Sequence, residues 1–464
     1  MAPIFRRVMM LCAFVHIFAL RMIFAATFTV TKTTDNGVSG ELRWAIQQSN
    51  KTRGTNTIAF NIAGSGPFTI QPKKDLDAIT NPVIINGFSQ PRATANTLAS
   101  GNNANLLIVL SGNNYTEGNA STGTGNGLTF ARGSSGSVVK GLIITSWINN
   151  GIVINGANSV SILGNFIGTN VQGTAQVANQ TGIFVASATN TVIGSPNVAD
   201  RNSIAGSFFF FNNSACIVLD QANGTIIQNN YIGTDKTGTQ ILGNSLVGVL
   251  CNSLSTMTIG GASSTMRNII SGHTLAGIAL QGITNSLIQN NYIGTDVTGA
   301  HALGNLNMGI VVNGTGASAS TSGNMISNNL ISGNRVGIKL GLASLPGTNQ
   351  NTIQGNLIGT DVTGTKQLSN AYGIIINDDA NTVGGQNTNA RNIISGNTVG
   401  GVLLYGAVSN NTVTGNYIGT NITNSQALSN GYGVQEGLSA GLVGSNTVSN
   451  NTFGGGNTVS LVCS

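Results

Sequence analysis

A short phrase, Gly followed by alternating Ile or Val, returns at Gly151, Gly182, Gly248, Gly277, Gly309, Gly337, Gly373, Gly401 and Gly433, with Cys216 in the Gly position once. Successive copies lie 28 to 36 residues apart. A unit of that size cannot bury an apolar face by itself and is stable only when stacked on its neighbours. Each unit continues with two further segments, as in Gly151–Ile154, Asn158–Ile162 and Asn165–Gly168, giving three short strands per turn. The apolar alternation has period two and Gly and Asn punctuate every segment, which excludes a helical solenoid. The chain is therefore expected to be an all-β, right-handed parallel β-helix solenoid with three short strands per coil. Ten units stacked at ~4.8 Å make a rod about 50 Å long.

The core column is legible strand by strand. Position two of the first strand reads Ile152, Ile183, Ile217, Val249, Ile278, Ile310, Ile338, Ile374, Val402 and Val434, all β-branched. Position four is apolar from Ile154 to Leu404 and then meets Glu436. Both positions are expected to point inward. Position three should point outward, yet it is Val153, Phe184, Val218, Leu250, Ala279, Val311, Lys339, Ile375, Leu403 and Gln435. An uncovered apolar stripe of that length exceeds what an ordinary monomer shows. Either a partner covers it (a surface protein, a second copy, lipid or polysaccharide) or the chain's own loops fold back over it. The aromatic run Phe208, Phe209, Phe210 and Phe211 follows Phe184 in the same coil, and these five residues are the candidate ligand-binding set.

A longer period overlies the first. The loop Ile-Gly-Thr-Asp/Asn begins at Ile167, Ile232, Ile293, Ile358 and Ile418, in every second coil. The intervening coils carry Arg201-Asn-Ser-Ile, Arg267-Asn-Ile-Ile and Arg391-Asn-Ile-Ile, whereas one coil has Asn328 at this point. Loop residues Asp235, Asp296 and Asp361 repeat, with Asn170 and Asn421 in the outer copies. Copies two coils apart lie ~10 Å from one another, too far to share a cation bound at ~2.4 Å. An Asx-turn that orders each loop is the better account.

Composition sets the remaining bounds. Charged residues are 7% of the chain and aromatic ones 5%, against 64 Gly, so solubility must come from uncharged polar turns. Residues 1–26 read as a signal peptide, with Arg6 and Arg7 before an apolar run and Ala25 and Ala26 at its end. The chain is thus expected to be secreted or displayed at the cell surface, with no transmembrane span in the mature part. Beyond the leader, 16 Lys and Arg face 13 acids, a balance too weak for a nucleic-acid partner. Four cysteines make no disulfide framework: Cys12 leaves with the leader, Cys463 is one residue from the end of the sequence, and the strand positions of Cys216 and Cys251 are ~10 Å apart. Residues 27–110 read as an N-terminal cap with a short helix opening near Ser39, plus the first coils; residues 111–464 read as the β-helix repeats.

The cap Gly40-Glu-Leu-Arg-Trp-Ala-Ile, the segment from Ile79 to Pro91 and the repeated Asn-x-Ile-Gly-Thr and Arg-Asn-Ile-Ile-Ser-Gly phrases resemble the right-handed parallel β-helix proteins of the pectate-lyase-like superfamily, of the bacterial surface or secreted type. That resemblance implies the fold. It leaves activity open, because members include polysaccharide lyases, hydrolases, epimerases and noncatalytic adhesins.

Chemistry is sparse. Asp378 and Asp379, just past a strand end, are similar to the Asp-Asp step of polygalacturonases, but Gly272-His273 lies upstream and no Arg-Ile-Lys follows. A lyase would instead use Lys339 as base, with Asp220 or Asp378 on calcium; only that reading needs a cofactor. His273 and His301 stand apart, and no metal site is expected. The expected function is an exported, noncatalytic rod acting in recognition or adhesion, with glycan binding as one form of it. The alternative is a polysaccharide lyase or glycoside hydrolase working in a groove through Asp378, Asp379 and Lys339. A third reading, a scaffold within a larger coat that self-associates, follows from a C-terminus without a visible cap.

Overall fold

The computed structural model describes residues 25–116, 124–206, 214–242, 246–253, 255–314, 320–342, 347–437 and 445–461. From Leu128 onward each complete coil contributes one strand to each of three sheets, and every strand-to-strand pairing within those sheets is parallel. Face one, the 12-stranded sheet, carries the Gly-led strands such as Asn150–Asn155. Face two, with 14 strands, follows it, as at Ser161–Leu163, and face three, with 13, comes next, as at Phe166–Ile167.

The register is that of the repeat. Ile152 pairs with Ile183, then Ile217, Val249, Ile278, Ile310, Ile338, Ile374, Val402 and Val434, one above the other. All ten are fully buried, as is the position-four column from Ile154 to Leu404. β-Branched side chains stacked at the inter-strand spacing fill the narrow lumen without rotamer loss. Glu436 keeps the register, lying between Leu404 and Leu461, and is buried where every other coil is apolar.

The Gly at position one has a steric origin. Pairing skips it, joining Val247 to Ala276 and then Val249 to Ile278, so the strand bends there and the Gly faces inward. A Cβ at Gly277 would lie 2.8 Å from the Gly309 carbonyl oxygen and 2.9 Å from Asn305 Nδ2. In the coils where a corner Asn occupies that space a side chain is excluded, and Cys216 is the one exception to Gly at this position.

Those corner asparagines form strings along the axis. Between faces two and three, Asn165, Asn202, Asn230, Asn268, Asn291, Asn329, Asn356, Asn392, Asn416 and Asn451 run unbroken, each side-chain amide donating to the next Oδ1. A second string begins at His273 and continues through Asn305, Asn334, Asn370, Asn397, Asn430 and Asn457. A buried amide that donates and accepts in both directions leaves little unsatisfied, which is why Asn rather than Gly or Ser recurs at these corners.

At the N-terminal end, α1 (Leu42–Lys51) packs on β1 (Thr27–Val30) and β2 (Asn56–Phe60), turning Leu42, Ala45 and Ile46 into the end of the core. Arg43 anchors it, bonding Asp35 through Nε at 2.9 Å and Nη2 at 2.7 Å and the Asp75 carbonyl at 2.7 Å. Strands of this region continue directly into the stack, Ile84 pairing with Val138 and Ile108 with Leu142.

Candidate functional site

Face one is where the sequence places its candidate chemistry. Asp378 follows the strand Tyr372–Ile376. Its Oδ2 accepts from the amides of Gly347 and Thr348 at 2.8 and 2.6 Å, and its Oδ1 from the amide of Asp379 at 3.0 Å. Asp379, exposed, accepts from the Ser409 amide at 2.6 Å. The pair thus clasps successive coils. Lys339 lies one coil earlier, opposite Ile375 and three residues short of Asp378 in register; no ion pair joins them. It is half-buried, and desolvation pulls its ammonium below the ordinary lysine range. Asp220 and Asp378 are five coils apart, about 24 Å along the axis. They cannot hold one calcium ion, and among the described residues no group of three His, Cys, Asp or Glu side chains could hold a metal.

Of the two expected covers for the outward apolar stripe, a partner or the chain itself, the middle coils have the second. Val218, Leu250, Ala279 and Val311 are only 2 to 6% exposed within the single chain. They form one cluster with Ala215, Val247 and Ala276 of the adjoining column, with Phe184 and Met308 half-buried at its margin. Alternation gives the direction of a side chain but not what lies above it. Phe208, Phe209, Phe210 and Phe211 lie outside the described residues.

The repeated acids are structural. Asp235 Oδ1 accepts from the amides of Thr239 and Gln240, and Asp361 Oδ1 from those of Thr365 and Lys366; Asn421 does the same for Ser425 and Gln426. These are closed Asx loops, and Asn substitutes because only an acceptor oxygen is needed.

Face three holds what the sequence reading did not find. Arg201 stacks on Tyr231, Arg267 on Tyr292 and Arg391 on Tyr417, the guanidinium carbons 4.9, 4.0 and 4.1 Å from the ring centroids. Each Arg precedes its Tyr by one coil. The signal was present: where Asn328 replaces the Arg, Leu357 replaces the Tyr. None of the three arginines makes an ion pair among the described residues.

A loop from the first coils, residues 92–105, lies across this face. Arg201 donates to the carbonyls of Leu98, Ala99 and Gly101, and the Tyr231 hydroxyl accepts from the Gly101 amide at 2.8 Å. Two cavities flank the loop. One, of 260 Å³, is lined by Ala99 and Ser100 of the loop with Arg201, Tyr231, Ser264 and Arg267 among others. The second, of 410 Å³, has Arg92, Asn105 and Lys236 in its wall. No carboxylate lines either one. Arg201 is 5% exposed, and burial away from an acid holds its guanidinium below the usual arginine range.

No family model matches the chain, and no curated protein does. Among solved structures it is similar to the A-module of mannuronan C-5 epimerase AlgE6 from Azotobacter vinelandii, at 13% identity over 89% of this chain and 94% of that one, with a TM-score of 0.51. The AlgE4 A-module of the same organism matches at 13% over 91% and 95%, TM-score 0.42, and the periplasmic alginate epimerase AlgG at 11% over 75% and 76%, TM-score 0.42. The sheets, their register and the first of these likenesses together make this chain a right-handed parallel β-helix, the fold it shares with that epimerase module.

Proposed function

We propose that this is an exported, noncatalytic β-helical rod that recognises a polymer or surface through its side faces. One observation carries the reading: both candidate acids brace the scaffold, and only Oδ2 of the exposed Asp379 takes no part in it. Asp378 accepts three backbone amides and Asp379 a fourth. A general acid or nucleophile needs a carboxylate oxygen open to substrate and a partner within reach. Among the described acids, all but Asp220 and Glu436 accept hydrogen bonds from the chain itself.

A polysaccharide lyase or hydrolase is the second reading, and Lys339 favours it. A half-buried lysine with no acid beside it and a lowered pKa is the right kind of group for a base. One experiment separates the two: the purified protein is incubated with acidic and neutral polysaccharides while unsaturated uronates, new reducing ends and retention are read together. Retention without cleavage is the expected result. Cleavage lost in Lys339→Ala or Asp379→Asn protein would replace this reading with the enzymatic one.

A further inference from the structure

We propose that the two cavities flanking the 92–105 loop form one binding site for a polymer bearing regularly spaced oxyanions. The inference deepens the recognition reading and rests on it.

A guanidinium has five N–H donors. Arg267 commits two of them, Nε to the Asn290 carbonyl and Nη2 to Asn290 Oδ1, leaving three directed to no protein acceptor. Arg201 commits four, three to loop carbonyls and one to Asn229 Oδ1. Both guanidiniums line the same cavity, with the Ser264 and Thr265 side chains beside them and no acid. Arg201 is buried without a counter-charge and Arg267 is half-buried beside it, and an oxyanion reaching the three uncommitted N–H groups of Arg267 would supply the negative charge this cavity lacks. Planar donor forks suit carboxylate, sulfate and phosphate alike.

The second cavity repeats the pattern across the loop. Arg92 gives one N–H to the Gly64 carbonyl, and Lys236 is fixed through its backbone to Gly173. They share the wall of this cavity with Asn105 and Gln172 and with no carboxylate. Arg201 and Arg267 are two coils apart, ~10 Å along the rod. Two basic cavities on either side of one strap fit an extended chain with several charges better than a single small anion. The site lies on face three, away from Asp378, Asp379 and Lys339.

The third Arg–Tyr pair supplies an internal control. Arg391 stacks on Tyr417 at the same distance as Arg267 on Tyr292, yet it lines neither cavity. The full chain is titrated with polygalacturonate, dextran sulfate, polyphosphate and neutral dextran, using wild type, Arg267→Gln, Lys236→Gln and Arg391→Gln. The expected result is binding of anionic polymers only, weakening as ionic strength rises, with the tightest of the three identifying the oxyanion. Arg267→Gln should lower affinity about tenfold, the order of one lost charge-assisted hydrogen bond. Lys236→Gln should lower it less, and Arg391→Gln not at all. Equal losses in Arg267→Gln and Arg391→Gln, or none in either, would overturn the site while leaving recognition by the rod intact. Retention of neutral dextran alone would do the same. Cleavage of any polymer would instead defeat the noncatalytic reading, and it is scored separately from affinity.

Discussion

Faces one and three are built from strands of the same coils, and both turn apolar side chains outward. On face one the column Val218, Leu250, Ala279 and Val311 is closed over within the chain. On face three Tyr231, Ile269, Tyr292 and Leu330 form the equivalent column, but arginines lie flat on the tyrosines and leave basic cavities between. Both columns are buried, but under different cover: the first in an apolar cluster, the second partly beneath cations. Only the second leaves a surface that remains chemically addressable.

The comparison predicts very different tolerance to charge. Leu250→Asp places a carboxylate in a site 6% exposed, and should cost upwards of about 3 kcal/mol. Leu357→Asp, half-buried on face three, should cost about 1 kcal/mol. Thermal melts of the two variants decide it, and equal losses would erase the distinction between the faces.

His273 tests the corner where face three turns into face one. It stands where an Asn stands in the coils that follow, is fully buried, bonds Asn305 Oδ1 at 2.9 Å and lies 3.8 Å from Cys216 Sγ. Burial pulls its pKa down to about 4 from an ordinary 6.5. The unfolded chain therefore takes up a proton first as pH falls. Its stabilisation is complete above pH ~6.5 and declines toward pH ~4, by about 3 kcal/mol. In His273→Asn protein this segment of the stability–pH curve should flatten. A slope that survives the substitution would assign acid sensitivity to other groups.

The smallest effects concern the Arg–Tyr pairs. A double-mutant cycle on Arg391 and Tyr417 should return a coupling of about 0.5–1 kcal/mol. Installing Asn328→Arg with Leu357→Tyr should recover a similar amount, and neither change alone should do so.

The lumen was legible in sequence because period-two alternation and β-branching are local properties that burial requires. The corner asparagines were legible as the punctuation between segments. For the candidate acids the sequence shows only half of the setting: Asp378 and Asp379 look fully available until the amides of Gly347, Thr348 and Ser409 are placed against them. The Arg–Tyr pairs escaped notice because the partners are separated by a whole coil, and a motif scan within one unit never sets Arg267 beside Tyr292. The cavities could not be read at all, since the 92–105 loop carries no repeat that says where it lies.

The alternation of Arg-bearing and Tyr-bearing coils also fixes how this molecule can change length. Excising the coil of Tyr231 alone would leave the string from Asn165 to Asn451 continuous but set Arg201 beside the coil of Arg267, and excising that of Arg267 alone would set Tyr231 beside Tyr292. Excising both would return Arg201 to a tyrosine, Tyr292. The double coil is therefore the step of length that keeps the face-three pairing in phase.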